Sequence, residues 1–226
     1  MMLQGIDVSG NNGVIRWHDV PDEIRFVAQK LTEGTGWEDG SAKVNCPAVL
    51  GSGRLLGGYH YLRVRSEGKA QDARAQAQDF AAAWHRHGCE FAALDVEAQG
   101  NGLAKAQEVL DAVTEFVAEW RELVGTPIAL YTYPGFWTAL GPRGYSALEL
   151  ASLPLWIAHY APPSARVPMV PAPWTDWTIW QYAAGAGVLG RVEGIAGDVD
   201  RNCFRGCYDD FKRLWGLPVA LPTLAG

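Results

Sequence analysis

The 226-residue chain has no apolar run of the length a bilayer-spanning helix needs, so no membrane segment is read from it. Its opening, MMLQGIDVSG, lacks a basic n-region and a long apolar h-region, and no secretory signal is legible there. Basic clusters are also missing. Lys and Arg number 19 against 25 Asp and Glu, a formal charge of −6. A nucleic-acid partner needs a cationic patch to neutralise phosphates, so that class is set aside. There are only 4 cysteines, and none forms a C-x-x-C pair. Buried or reduced thiols are the expectation; Cys203 and Cys207 would share a face only if their segment is helical. H-E-x-x-H and G-x-S-x-G are absent, which removes the sequence support for a zinc protease or a serine nucleophile. GSGRLLGG is not followed by a helical pattern and is not read as a phosphate loop. Internal repeats and low-complexity tracts are lacking too.

What the chain does have is 48% hydrophobic residues, 10 Trp, and a recurring short apolar run that ends in a polar or aromatic residue. LQGIDVS, FVAQKLTEG, LLGGYHYLR, FAALDVE, PIALYTYP, LPLWIAHYA, TIWQYA and GDVDRN give eight candidate strands. Such runs suit strands buried on both faces. Residues 69–87 carry a helical stripe through Ala73, Ala77, Phe80 and Trp84, closed by Gly88. A second stripe over 104–124 runs through Val109, Val113, Phe116 and Trp120 and stops at Gly125 and Pro127. Shorter helices are expected near 14–20, 41–50 and 134–140. The five prolines between Tyr160 and Thr178 leave no room for a helix, and no stripe lies between Tyr182 and Val199. The expected fold is therefore α/β: an irregular TIM-like barrel with five β/α units followed by three strands without helices. Residues 1–207 would form that barrel, and residues 208–226 a short C-terminal helix and tail.

Barrel chemistry sits at the C-terminal strand ends. Those ends supply Asp7, Glu33, His60, Asp95, Glu97, Tyr131, Tyr133, Tyr160, Gln181, Asp198 and Asp200. Each carboxylate is costly to desolvate without a partner, so a cluster of them points to function. In ALDVE, residues i and i+2 face the same way, so Asp95 and Glu97 share the barrel mouth. Two carboxyls this close do not both ionise easily, and a carboxyl kept protonated is what glycoside cleavage requires. Spacing alone leaves a second reading open: a pair that binds Arg or caps a loop. Metal ligation through His60 and the acids is the rival chemistry; His18 and His159 are isolated, and His85 and His87 end a helix.

Eight segments in order then carry a resemblance. GIDVS (5–9), KLTEG (30–34), GGYHYLR (57–63), ALDVE (93–97), LYTYPGFW (130–137), LWIAHY (155–160), WQY (180–182) and DVDRN (198–202) resemble glycoside hydrolase family 25, the Chalaropsis-type lysozymes. The resemblance implies an N-acetylmuramidase that cuts the β-1,4 bond between N-acetylmuramic acid and N-acetylglucosamine, with no cofactor or metal. By position it implies Glu97 as proton donor, with Asp95, Asp7 and Asp200 as the other acids. Tyr61, Tyr131, Trp156, Tyr160 and Gln181 match groove-lining positions. The implied partner is peptidoglycan, not a membrane, and the protein is expected to be a monomer. Its expected place of action is the cell wall, reached by lysis or a dedicated secretion route, as for a phage endolysin or an injected effector.

Overall fold

The computed structural model describes residues 2–66, 69–99, 101, 104–141, 149–160, 166–184 and 190–219. All eight expected strands form: β1 (Leu3–Val8), β2 (Ile24–Glu33), β3 (Leu55–Tyr61), β4 (Phe91–Asp95), β5 (Ala129–Thr132), β6 (Leu155–Ala158), β7 (Ile179–Ala183) and β8 (Asp200–Phe204). Neighbours from β1 through β7 pair in parallel. β8 runs antiparallel between β7 and β1 and closes the barrel. Parallel neighbours need long crossovers, and helices supply most of them. α1 (Ala42–Gly51) follows β2, α2 (Ala73–Arg86) follows β3, α3 (Ala106–Leu123) follows β4 and α4 (Pro134–Leu140) follows β5. α5 (Tyr208–Leu214) follows β8. No helix among the described residues is long and apolar enough to cross a membrane.

Two local expectations are corrected. The helix expected near 14–20 does not form. A 3-10 turn at Gly10–Asn12 follows β1, and Ile15 then bridges Ile195. Trp17 is held instead by its indole N–H on Asn45 Oδ1 at 3.2 Å. The α2 stripe starts at Ala73, not at 69. Asp72 caps its first turn by accepting from the Arg74 and Ala75 amides, and Lys69–Ala70 pairs with Arg65–Ser66. Gly88 follows α2 with φ 66°, the left-handed conformation expected of a C′ glycine.

The core has two parts. Between barrel and helices, Phe80 stacks on Trp120 at 5.0 Å, and His60 stacks on Phe116 at 5.0 Å. Inside the barrel lie Phe26, Phe91, Ile179 and Phe204, and α5 closes their end with Phe211 and Trp215. Phe211 stacks on Phe26 at 4.9 Å and meets Phe91 and Phe204 edge-on at 5.0 Å each. Room for the rings comes from glycine. A Cβ on Gly57 would lie 2.2 Å from the Phe91 ring, and one on Gly5 would lie 2.4 Å from Phe26. The lower barrel is thus filled, and the open space is at the other end.

Candidate active site

That open end holds a cleft of about 520 Å³ lined by Asp7, Tyr59, Tyr61, Asp95, Glu97, Tyr131, Trp156, Gln181 and Asp200, among others. All four sequence-predicted acids meet there. Asp7 is the penultimate residue of β1, and Asp95 ends β4 with Glu97 two residues on. Asp200 arrives differently: β8 is antiparallel, so its first residue, not its last, lies at the mouth opposite Asp7. In an eight-stranded ring β4 lies across from β8 and β1. The acids therefore form two pairs on facing walls, Asp95 with Glu97 and Asp7 with Asp200.

Each pair is close enough for its carboxyls to hydrogen-bond once one of them is protonated. Burial pushes Asp95 well above the usual carboxylate range, and the neighbouring Glu97 adds to the rise. One Asp95 oxygen, Oδ1, is fully enclosed with no donor facing it, which suits a protonated group better than an ion. Burial also raises Glu97, while the hydrogen bond with Asp95 and the charges of Lys30 and Arg63 pull it back. Glu97 is half-buried, whereas Asp95 is only 7% exposed. Burial, with Asp7 beside it, pushes Asp200 up to about 8. Asp7 is raised by burial but accepts from Asn202 Nδ2 at 2.7 Å and Gln181 Nε2 at 2.9 Å.

The rest of the wall is aromatic and polar. Tyr131 donates its hydroxyl to Gln181 Oε1 at 2.9 Å, and Trp156 donates its indole N–H to Asn202 Oδ1 at 2.8 Å. Trp156 is only 2% exposed, so it forms the floor of the cleft rather than an open stacking face. Tyr61 donates to the Gln99 carbonyl and lies against Lys30 and Arg63, each 4.8 Å from its ring centre. Lys30 and Arg63 both hold Glu33, whose carboxyl falls below its ordinary value although burial opposes the change. Tyr160 is 63% exposed and stands at the rim rather than in the cleft lining.

His60 is not at the mouth. Strand alternation sends Tyr59 and Tyr61 inward and His60 outward. There it meets Thr32 Oγ1 at 2.8 Å and Gln76 Oε1 at 3.0 Å under α2, and burial lowers it to about 4. Tyr133 caps α4 and packs on Phe136. No group of His, Cys, Asp and Glu among the described residues is arranged to hold a metal ion. All four cysteines are free; Cys203 lies on β8 and Cys207 at the start of α5, so they share no helix face. Tyr59 and Asn202 also belong to the site, although neither stands among the strand-end residues read from the sequence. Each lies two residues from a residue singled out, Tyr61 and Asp200, and the period-2 rule would have found both.

The raised Asp200 carboxyl has a stability consequence. The folded chain binds this proton up to about pH 8, whereas an unfolded aspartate releases it near 4. Between those values the native state holds more protons than the unfolded one, so stability falls as pH rises. Asp200→Asn should flatten the melting-temperature profile between about pH 4 and 8 and raise the melting point at the alkaline end. Scanning calorimetry of both proteins across that range measures it; an unchanged slope contradicts it.

Comparison with known proteins agrees with the geometry. The family model for glycosyl hydrolases family 25 matches residues 6–190. Lysozyme M1 of Streptomyces globisporus is 32% identical over 214 residues, covering 90% of this chain and 68% of that protein. The crystal structure of a bacterial lysozyme from Streptomyces coelicolor superposes with a TM-score of 0.79 at 29% identity, over 95% of this chain and 97% of that one. A muramidase from Trichobolus zukalii shares the fold, with a TM-score of 0.76 at 24% identity over 94% and 98%. With a closed eight-stranded barrel and acids on facing walls of its mouth, the chain belongs to family 25 of the glycosyl hydrolases and is a glycoside hydrolase of the lysozyme class.

Proposed function

We propose that the protein cleaves the β-1,4 bond between N-acetylmuramic acid and N-acetylglucosamine in peptidoglycan, with Glu97 as the proton donor. The observation that carries this reading is the pairing of acids on opposite walls of one cleft. Glycoside cleavage needs a carboxylic acid on the leaving-group side and a carboxylate on the other. Glu97 is the acid for the leaving oxygen: it is raised by burial, longer than Asp95, and half-open to the cleft. Its proton passes to the glycosidic oxygen as the C1–O bond breaks; the oxygen of a water molecule ends on C1, and that water's proton replaces the one the acid gave up. Asp95, deeper and itself raised, hydrogen-bonds to Glu97 and holds its carboxyl toward the cleft. The positive charge developing at the ring faces the Asp7–Asp200 wall. Tyr61, Tyr131 and Gln181 line the path of the glycan, with Trp156 beneath and Tyr160 at the rim.

The place of action is then the bacterial cell wall. A lysis enzyme of a phage or prophage, or an antibacterial effector, fits this substrate. Digestion of purified peptidoglycan followed by borohydride reduction and mass spectrometry tests the bond assignment. Reduced muramic acid is expected at the new ends; reduced N-acetylglucosamine there would assign the other glycosidic bond and overturn the reading.

A further inference from the structure

We infer that Asn202, an amide outside the four acids, is a positioning residue that decides where the proton of the far-wall pair sits: Asp7 stays ionised and Asp200 carries the proton. Asn202 is fully buried, 0% exposed, on β8 two residues from Asp200. Its two ends face different groups. Oδ1 meets the Trp156 indole N–H at 2.8 Å, and Nδ2 meets Asp7 Oδ2 at 2.7 Å.

The orientation of a buried amide follows from its neighbours. An indole N–H donates and never accepts, so the end of Asn202 facing Trp156 has to be oxygen. The other end is therefore –NH₂, and it points at Asp7. Gln181 does not decide the matter alone. Its Oε1 faces the Tyr131 hydroxyl, which can donate or accept, and its Nε2 lies 2.9 Å from the same Asp7 oxygen. Trp156 fixes the Asn202 donor, and a carboxylate that already accepts from Asn202 is matched by the –NH₂ end of Gln181. Asp7 Oδ2 thus receives two amide N–H groups, and donors favour the ionised form. The remaining contact of Asp7 is with the Asp200 carboxyl, which then has to donate.

The other groups around Asp7 do not supply a counter-charge. β2 presents Ala28 opposite it, and Lys30 on that strand acts on Asp95 and Glu97 instead. Tyr59 on β3, Asp95 and Glu97 at β4, Tyr131 on β5 and Tyr160 beyond β6 are neutral or acidic. Among the described residues, the hydrogen-bonding partners of Asp7's carboxyl are thus two amides and one carboxyl. The result is a fixed carboxylate on the wall of the cleft, held in a buried setting where it is worth more than in water.

The kinetic side of this inference rests on the function proposed above; the titration side does not. Asn202→Leu keeps the branched outline of the side chain and removes the donor. A hydrogen bond to a charged group corresponds to roughly one to two pH units and about ten- to a hundredfold in rate. The acidic limb of the kcat profile should therefore move up by about that much, with KM changed little. Trp156→Phe keeps an aromatic side chain but removes the indole N–H that fixes the Asn202 amide, and should move the limb the same way by less. If Asn202→Leu does not fold, Trp156→Phe carries the test. In parallel, carboxyl-carbon NMR of ¹³C-aspartate protein reads the titration without turnover. In the native protein one of the two carboxyls should stay ionised and the other titrate well above the usual range; in the variants the Asp7 signal should move toward protonation. Superimposable titrations of native and variant proteins, or a kcat loss equal at every pH, overturn the inference. Loss of the muramic acid product with these shifts intact would instead count against the proposed bond.

Discussion

Glu97→Gln is expected to fold and melt like the native protein while losing peptidoglycan hydrolysis by roughly two to four orders of magnitude, the range for a removed general acid. Gln has the same size and keeps one acceptor for Asp95, but it has no proton to give. Glu97 is half-buried and lies two residues beyond the end of β4, and the substitution leaves its backbone carbonyl bond from Asn101 in place, so the barrel should not notice the change. Neutralising a carboxyl that burial already raises also relieves repulsion from Asp7. Turbidity clearance of cell walls, alongside a thermal melt, measures both halves. Clearance near the native rate would remove Glu97 from the mechanism and turn attention to Asp95.

Phe211→Ala should give the largest loss of stability. The ring is fully buried and touches Phe26, Phe91, Phe204 and Trp215 at centroid distances of 4.9–6.0 Å. It sits where α5 stoppers the barrel, so the cavity left behind has barrel walls on every side and little freedom to collapse. Truncation of such a ring costs about 3–5 kcal/mol. In a chain of this length each kcal/mol lowers the melting point by about 2–4 °C. A drop on the order of 10 °C is expected, with the cleft at the opposite end unchanged in its chemistry. A calorimetric shift below a few degrees would mean that α5 packs on the barrel without sealing it.

Several elements were legible in the chain because they are local. The stripes of α2 and α3 repeat every three to four residues, and their stops at Gly88 and Gly125 are chemical. The positions of the eight strands follow from apolar runs, and the lack of a helix among the described residues between Tyr160 and Thr178 follows from proline. The segment near 14–20 is ambiguous because its apolar spacing is short enough to suit a helix, a turn or a bridge. Only the contact between Ile15 and Ile195, 180 residues apart, decides among them. His60 reads from the sequence as a strand-end residue, although the alternation that sends Tyr59 inward sends it out.

By itself the sequence determined the barrel class, the order of its strands and the presence of acids at their ends, because apolar periodicity and turn chemistry act over a few residues. Tertiary structure alone decided how those acids meet. The antiparallel course of β8 brings the start of that strand, not its end, to the mouth and so sets Asp200 against Asp7. An irregularity between Lys30 and Thr32 lets Lys30 and Glu33, three apart, face the same cleft, which simple alternation would forbid. The charge on each acid depends on burial and on amides from strands far away in sequence: Asn202 and Gln181 lie 195 and 174 residues from Asp7. Proton affinity is set by what surrounds a group in space, and that environment exists only once the barrel has closed.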